Sequence, residues 1–147
     1  KYIYDGEIKL CQGGFHACFN PVDVLIYYNL GSDRYAEVLV EDFIEGDDKL
    51  VAKIITIVRE IPRKTFYEMC SGMKNSCGDV RWWNEYGLHR IDGPAVIYAN
   101  GDRAWYFNGM LHREYEPAFI HENGDQEWWI DNKFIRGTGA CMIDWTD

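Results

Sequence analysis

Three successive stretches of this chain share one pattern: 78-GDVRWWNEYGLHRIDGPAVIYAN-100, 101-GDRAWYFNGMLHREYEPAFIHEN-123 and 124-GDQEWWIDNKFIRGTGACMID-144. They align without a gap at a period of 23 residues. Each begins with Gly-Asp and carries a tryptophan three residues after that aspartate, and the first two share a His-Arg pair and a Pro-Ala pair. A period shared by so many different residue types indicates that residues 78–147 are three copies of one unit, 78–100, 101–123 and 124–147.

Each unit has the dimensions of a β-hairpin, because 23 residues accommodate two short strands and two turns. Asn-Gly-Asp at 100–102 and 123–125 is a tight-turn signal, since Asn and Gly tolerate positive φ. A second turn is predicted near 108–109 and 131–132. A lone hairpin is marginal in water, so the units are expected to pair into one antiparallel sheet, with the divergent third copy as its cap.

Two aromatic columns are predicted within these units, because neighbouring side chains on a strand point to opposite faces. The first column is Trp82, Trp105 and Trp128, and the second column is Trp83, Tyr106 and Trp129. The first column is expected to form the core. The second column is a candidate partner-binding surface if its face is open, and core if the first half of the chain covers it.

His-Arg pairs at 89–90 and 112–113 suggest catalysis or phosphate binding, but their repetition favours a structural role. Each histidine is expected to hydrogen-bond a turn carbonyl, and each arginine to pair with a nearby carboxylate. The expected ion pairs are Arg90 with Asp92 and Arg113 with Glu114 or Glu116.

The first half of the chain, residues 1–63, is predicted to be a small α+β unit with one main helix. That helix is expected to begin at Asn20 as N-cap, with Pro21 in its first turn, and to end near Gly31. Alternating or β-branched segments predict strands at 7–11, 15–18, 34–40 and 50–61, the last of them central or near-central. Residues 64–77 are left open between a linker and a short helix. The predicted class is therefore α+β and predominantly β.

The chain is acidic, with 15 Lys and Arg against 24 Asp and Glu and a net charge of −9. That sign disfavours direct nucleic-acid binding and suits a basic partner protein. The segment 41–48 is expected to be an acidic loop that guides such a partner. Its acidic residues are Glu41, Asp42, Glu45, Asp47 and Asp48.

No stretch approaches the roughly 20 apolar residues of a membrane span, and the start has no signal-peptide core. We therefore expect no membrane association and a cytoplasmic location, in the host cell if the protein is viral. Because the first residue is Lys1, the chain is expected to begin inside a longer gene product.

Five cysteines are present: Cys11, Cys18, Cys70, Cys77 and Cys141. Their spacing matches no common zinc motif, so reduced thiols are expected and no metal or cofactor is predicted. One alternative stays open, which is a metal site at Cys11, His16 and Cys18 completed by Cys70 or Cys77.

Both halves resemble known domains. The segment CQGGFHACFNPVDVLIYY (11–28), with RYAEVLVED (34–42) and KIITIVREI (53–61), resembles uncharacterised phage and prophage domains in which Gly-Phe-His-Ala-Cys precedes Asn-Pro and a tyrosine pair. The repeats resemble the His-Arg-x-x-Gly-Pro-Ala repeats of phage, giant-virus and bacterial proteins, which are related to MORN-type hairpins. This resemblance implies a viral, phage or prophage origin but not an activity. Such accessory proteins often bind host proteins, including components of antiviral defence, and a small acidic chain fits a role as a binder or inhibitor of a host or phage protein.

The leading functional hypothesis is accordingly a non-enzymatic, acidic protein-binding module. One alternative is an enzyme, because the first half is similar at the level of fold to ADP-ribosyltransferases. That similarity would assign NAD contact and catalysis to His16, to Tyr27 or Tyr28, and to Glu60, although each also fits a packing or solvated role. A second alternative is a structural or assembly protein whose repeats join sheet edges between copies, and the oligomeric state is left open.

Overall fold

The computed structural model describes residues 1–10, 12–27 and 34–139, and the chain divides into two compact units, Lys1–Cys70 and Ser71–Asp147. The first unit contains β1 (Tyr2–Ile3), β2 (Phe15–Ala17), α1 (Val24–Tyr27), β3 (Tyr35–Glu45), β4 (Leu50–Ile61) and α2 (Arg63–Cys70). The second contains β5 (Val80–Arg81), β6 (Trp83–Asn84), β7 (Gly87–Leu88), β8 (Val96–Ile97), β9 (Arg103–Ala104), β10 (Tyr106–Phe107), β11 (Met110–Leu111), β12 (Phe119–Ile120), β13 (Gln126–Ile130) and β14 (Lys133–Gly137). The predicted class is confirmed at this level, since antiparallel sheets predominate and the helices are short.

Strand β4 organises the first unit. It spans the predicted residues and pairs antiparallel with β3 along one edge and with β1 and β2 along the other. Its first three residues, Leu50 to Ala52, are buried. The β-branched run at 50–61 therefore forms the predicted central strand, because its side chains pack well on a pleated surface with neighbours on both edges.

The helices of the first unit differ from the prediction of one main helix. Pro21–Asp23 forms a 3-10 turn and Val24–Tyr27 one α-helical turn, whereas the expected end at Gly31 lies outside the described residues. The Asn20 side chain does not cap the turn. The longest described helix is instead α2, which occupies part of the segment left open between linker and helix. No helix in the described ranges is long and apolar enough to cross a membrane.

A turn replaces the strand predicted at 7–11. The N–H of Lys9 donates to the carbonyl of Gly13 at 3.0 Å, and the N–H of Gly13 returns a bond to Lys9 at 3.2 Å. Gly14 follows with φ of +112°, a conformation that glycine adopts without strain. Cys11, which falls inside this predicted strand, lies outside the described residues.

The segment predicted as an acidic loop is mostly strand. β3 continues to Glu45: Glu41 pairs with Ile54 and residues 43–45 pair with 50–52 of β4, whereas Asp42, with φ of +52°, has no register partner. The connecting turn is therefore confined to residues 46–49. The N–H of Gly46 closes that turn on the carbonyl of Lys49 at 2.8 Å. The loop prediction is wrong because β4 supplies hydrogen-bonding partners as far as Leu50, and this pairing overrides the polar composition of the segment.

The second unit is built on one sheet of six antiparallel strands in the order β5-β8-β9-β12-β13-β14. Two further hairpins, β6-β7 and β10-β11, form separate two-stranded ladders. The core of the second unit contains small and branched side chains: Ala95, Ala104 and Ala118 are fully buried, and Val96 is almost fully buried. The alanines allow close approach where the strands meet.

Backbone contacts in this unit recur at the spacing seen in the sequence. The N–H of Trp82 donates to Ala95 at 2.9 Å, and 23 residues later the N–H of Trp105 donates to Ala118 at 2.8 Å. The predicted turns also form. Gly101 and Gly124 have positive φ, and the hairpin turns at 108–109 and 131–132 have positive φ at both central positions, as tight hairpins need.

Candidate functional site

The arginines of the His-Arg pairs lie on the tryptophans of the first column. The Arg90 guanidinium carbon is 4.0 Å from the centre of the Trp82 ring. The same contact occurs at 4.3 Å for Arg113 over Trp105 and at 4.1 Å for Arg136 over Trp128. Such cation–π contacts contribute about 0.5–1 kcal/mol each at exposed sites. One flat face of each tryptophan is therefore used to hold an arginine.

The predicted ion pairs of these arginines are present. Arg90 Nε donates to Asp92 at 2.8 Å, and Arg113 pairs with Glu116. The hydrogen bond from Arg90 lowers the pKa of Asp92, and the positive charge adds to that effect. Arg90 also reaches the carbonyl of Pro94 at 3.5 Å. Arg90 and Arg113 thus each bind a carboxylate and a carbonyl of the loop that follows them.

The histidines bind a different backbone group from the one predicted. Nδ1 of His89 accepts the N–H of Asn108 at 3.2 Å, and Nδ1 of His112 lies 3.3 Å from the N–H nitrogen of Asp131. For His89 the partner is a turn N–H 19 residues ahead, rather than a turn carbonyl. His112 Nδ1 lies closer to a carboxylate oxygen of Asp131, at 2.8 Å, than to the N–H nitrogen of that residue. A turn whose central residues have positive φ has a backbone N–H that needs a hydrogen-bond acceptor, and an imidazole nitrogen can accept that hydrogen bond. Each histidine thus contacts the second turn of the following repeat.

The two aromatic columns do not divide into core and surface as predicted. Trp83, from the proposed binding column, is only 8 % exposed, and Tyr106 and Trp129 are half-buried. The first column, expected to be core, is half-buried throughout. Ser71 exchanges two hydrogen bonds with the backbone of Trp83, which places the residues before the first repeat against this position. Trp83 is therefore a packing residue.

An open groove of about 1010 Å³ lies between the loop 90–93 and the hairpin β10-β11. Its apolar lining comes from Ile91, Trp105, Tyr106, Phe107 and Met110, and its polar lining from Arg90, Asp92, His112, Arg113, Glu114 and Asp131. Ile91 is 88 % exposed and Phe107 49 % exposed. Of the predicted binding column, only Tyr106 reaches this groove. Two sequence signals could have indicated the groove. One is the apolar residue after the second turn, here Met110, and the other is the loop 91–93 that follows the His-Arg pair.

A pocket of about 620 Å³ lies in the first unit. It is lined by His16, Ala17, Cys18, Val24, Tyr27, Arg34, Tyr35, Ala36, Val38, Lys49, Ile55 and Phe66. His16 and Tyr27, two of the candidate catalytic residues, therefore share one cavity. Glu60 does not line it. Both its carboxylate oxygens accept hydrogen bonds from Arg34, at 2.7 and 2.6 Å. Tyr28, the other tyrosine candidate, lies outside the described residues.

The five acidic residues at 41–48 are in different environments. Glu41 forms an exposed ion pair with Lys1 at 2.8 Å. Asp48 accepts a hydrogen bond from the Tyr27 hydroxyl, which raises the pKa of that hydroxyl. Within the described part of the chain, Asp42, Glu45 and Asp47 have no ion-pair partner. The uncompensated charge therefore lies at the end of β3 and in the turn after it.

The described cysteines are free thiols in three environments. Cys70 is buried, Cys18 half-buried and Cys77 exposed. Burial raises the pKa of the Cys70 thiol to about 12 and that of Cys18 to about 11. No group of His, Cys, Asp and Glu among the described residues could hold a metal ion. Cys11, which the alternative metal site requires, and Cys141 lie outside the described residues.

Comparison with known proteins gives one family match. Residues 1–69 match the model of a family described as a domain of unknown function (DUF7666). No curated protein matches the chain, and no solved structure matches it. The family description states no activity, so a function has to be argued from the geometry.

Proposed function

We propose that this chain is a non-enzymatic, acidic protein-binding module. In this proposal residues 78–147 are three β-hairpin repeats that present the groove between loop 90–93 and β10-β11 to a partner. The observation that supports it most is the lining of that groove, where exposed Ile91 and Phe107 adjoin Trp105, Tyr106 and Met110. Aromatic residues, methionine and arginine are the types enriched at protein interfaces.

Two side chains that border the groove are already ordered in the free chain. Arg90 and Arg113 are each fixed on a tryptophan ring and on a loop carbonyl, that of Pro94 or Pro117. Side chains that are already ordered lose less conformational entropy on binding. This preorganisation supports a contact surface rather than a loose surface loop.

The charge of the second half favours a basic partner protein. Residues 78–147 carry 6 Lys and Arg against 12 Asp and Glu, and Asp92, Glu114 and Asp131 line the groove. The net negative charge of this half accelerates encounter with a basic protein and repels nucleic-acid phosphates, although at the groove itself Arg90 and Arg113 face the three carboxylates. The resemblance to phage and prophage domains makes a bacterial host protein, such as a component of antiviral defence, the first partner to test.

Replacing Ile91 with aspartate is expected to weaken partner binding about tenfold or more, because a charge would enter the apolar wall of the interface. The purified chain would be used to capture a partner from a bacterial lysate, and the dissociation constant would then be measured with the purified partner. Tyr86→Asp is the matched control, since Tyr86 is 67 % exposed and does not line the groove. Equal weakening by both variants, or the lack of any stoichiometric partner, would count against the proposal.

An NAD-dependent enzyme is the second candidate function, because His16 and Tyr27 line one pocket of the first unit. If NAD binds there, saturating NAD is expected to raise the melting temperature, since a ligand at 100 times its dissociation constant stabilises the native state by about 2.7 kcal/mol. The measurement is thermal unfolding with and without NAD. The variant His16→Ala is the control and should lose the shift. An unchanged melting curve for the original chain would remove this candidate.

A further inference from the structure

We propose that the outer edge of β3 is a docking site for an extended basic segment of a partner protein, which joins the sheet as an additional strand. This surface lies in the first unit, whereas the proposed groove lies in the second. The two proposals can therefore be tested independently.

The edge of β3 offers backbone hydrogen bonds. In the described part of the chain β3 pairs with β4 alone. At about 3.3 Å per residue, its 11 residues extend over roughly 36 Å, about twice the length of a typical strand. Natural edge strands are usually protected by lysine, proline, short length or bulges. β3 contains neither lysine nor proline, and its two irregularities, at Glu37/Val38 and at Asp42 with φ of +52°, leave Val38 to Glu41 between them in regular register. Its unpaired N–H and C=O groups are thus a template for strand addition.

The side chains of β3 favour a strand with apolar residues of its own. Leu39 is 63 % exposed, Phe43 44 % and Ile44 43 %. Side chains opposite each other on neighbouring strands lie close enough to make contact. An added strand with apolar residues would cover the exposed area of those side chains that share its apolar face, since Phe43 and Ile44 point to opposite faces. Phe43 also contacts Phe19, with ring centroids 6.0 Å apart.

The charge of β3 selects a basic strand. Its only ionisable side chains besides Tyr35 are the carboxylates of Glu37, Glu41, Asp42 and Glu45. Glu37 is paired with Arg59 at 2.6 Å and Glu41 with Lys1 at 2.8 Å. Asp42 and Glu45 have no ion-pair partner among the described residues. Lysine or arginine on the incoming strand would neutralise these two carboxylates across the pair.

A second copy of the chain is a poorer occupant. Pairing β3 with itself would bring the uncompensated carboxylates of Asp42 and Glu45 from each copy onto one two-stranded ribbon. Like charges on neighbouring strands are destabilising. The carboxylates of β3 thus disfavour self-association, and the same carboxylates attract a basic segment.

The test uses three synthetic peptides and the full chain. The first peptide alternates lysine and valine, the second alternates glutamate and valine, and the third is the lysine peptide with N-methyl groups on all its backbone nitrogens, so that neither of its edges can donate to β3. Fluorescence anisotropy gives the affinities, and hydrogen exchange gives the protection of amides at 35–45. We expect the lysine peptide to bind and protect these amides, the glutamate peptide not to bind, and the N-methylated peptide to bind about tenfold more weakly or worse.

The variant Asp42→Lys/Glu45→Lys is expected to weaken binding of the lysine peptide about tenfold or more. Glu85→Lys, an exposed carboxylate of the second unit, is the charge control and should change the affinity less than about twofold. Ile91→Asp should leave peptide binding unchanged, which separates this test from that of the groove.

Three outcomes would overturn the proposal. Equal affinity of the N-methylated peptide would show adhesion by charge alone, without strand pairing. Unchanged binding by the double variant would place the peptide elsewhere on the chain. A dimer in sedimentation that the double variant changes would assign the β3 edge to a second copy. If the double variant does not fold, the N-methylated peptide on the original chain still decides the question.

Discussion

Replacing Trp83 with alanine is expected to lower the free energy of unfolding of the second unit by about 3–5 kcal/mol. Trp83 is 8 % exposed, and its backbone exchanges two hydrogen bonds with the side chain of Ser71. Removing a buried indole loses its transfer free energy and leaves a cavity, which is the costliest kind of core substitution. All six tryptophans lie at 82–145, so tryptophan fluorescence in a denaturant titration follows this unit selectively.

Two further variants control for this effect. Trp83→Phe keeps an aromatic ring at the site and should cost less than the alanine variant. Tyr86→Ala removes a side chain that is 67 % exposed and should change stability by less than about 0.5 kcal/mol. If Trp83→Ala proved as mild as Tyr86→Ala, Trp83 would be a surface residue, and the second column would again be a candidate for partner contact.

Replacing Tyr67 with alanine is expected to destabilise the first unit by about 3–5 kcal/mol. Tyr67 is fully buried on α2, and its ring meets that of Tyr35 edge-on at 6.1 Å. Tyr35 in turn stacks on Phe66 at 3.9 Å. Loss of Tyr67 therefore removes one member of the aromatic cluster that joins α2 to the sheet through Tyr35 of β3.

The first unit contains no tryptophan, so hydrogen exchange at the amides of β4 is the appropriate measurement for Tyr67→Ala. Tyr67→Phe keeps the ring and removes only the hydroxyl that accepts from Arg63 Nε at 3.1 Å. It should cost about 0.5–1.5 kcal/mol. Met69→Ala changes an exposed residue of the same helix and should be nearly neutral. Similar exchange rates in all three variants would contradict a core role for Tyr67.

The candidate surfaces show where sequence reasoning succeeded and where it failed. The pairing of Arg90 with Asp92 could be predicted, because the two residues are neighbours in one loop. The stacking of Arg90 on Trp82 was missed, since it depends on how the hairpin folds back over eight residues of chain. The groove was also missed, because its walls come from the loop after one hairpin and from the next hairpin in the sequence.

Local sequence by itself determined the turns and the central strand. Glycine, asparagine and aspartate tolerate the positive φ of the turns at 101, 108–109, 124 and 131–132, and the β-branched run of 50–61 favours a pleated strand, so both signals act over a few residues. Only the tertiary structure decided that 41–45 pairs as strand and that Trp83 is buried while Trp82 is half-exposed. Burial depends on which distant segment packs against a side chain. Alternation along a strand separates two faces, but it does not say which of them is covered.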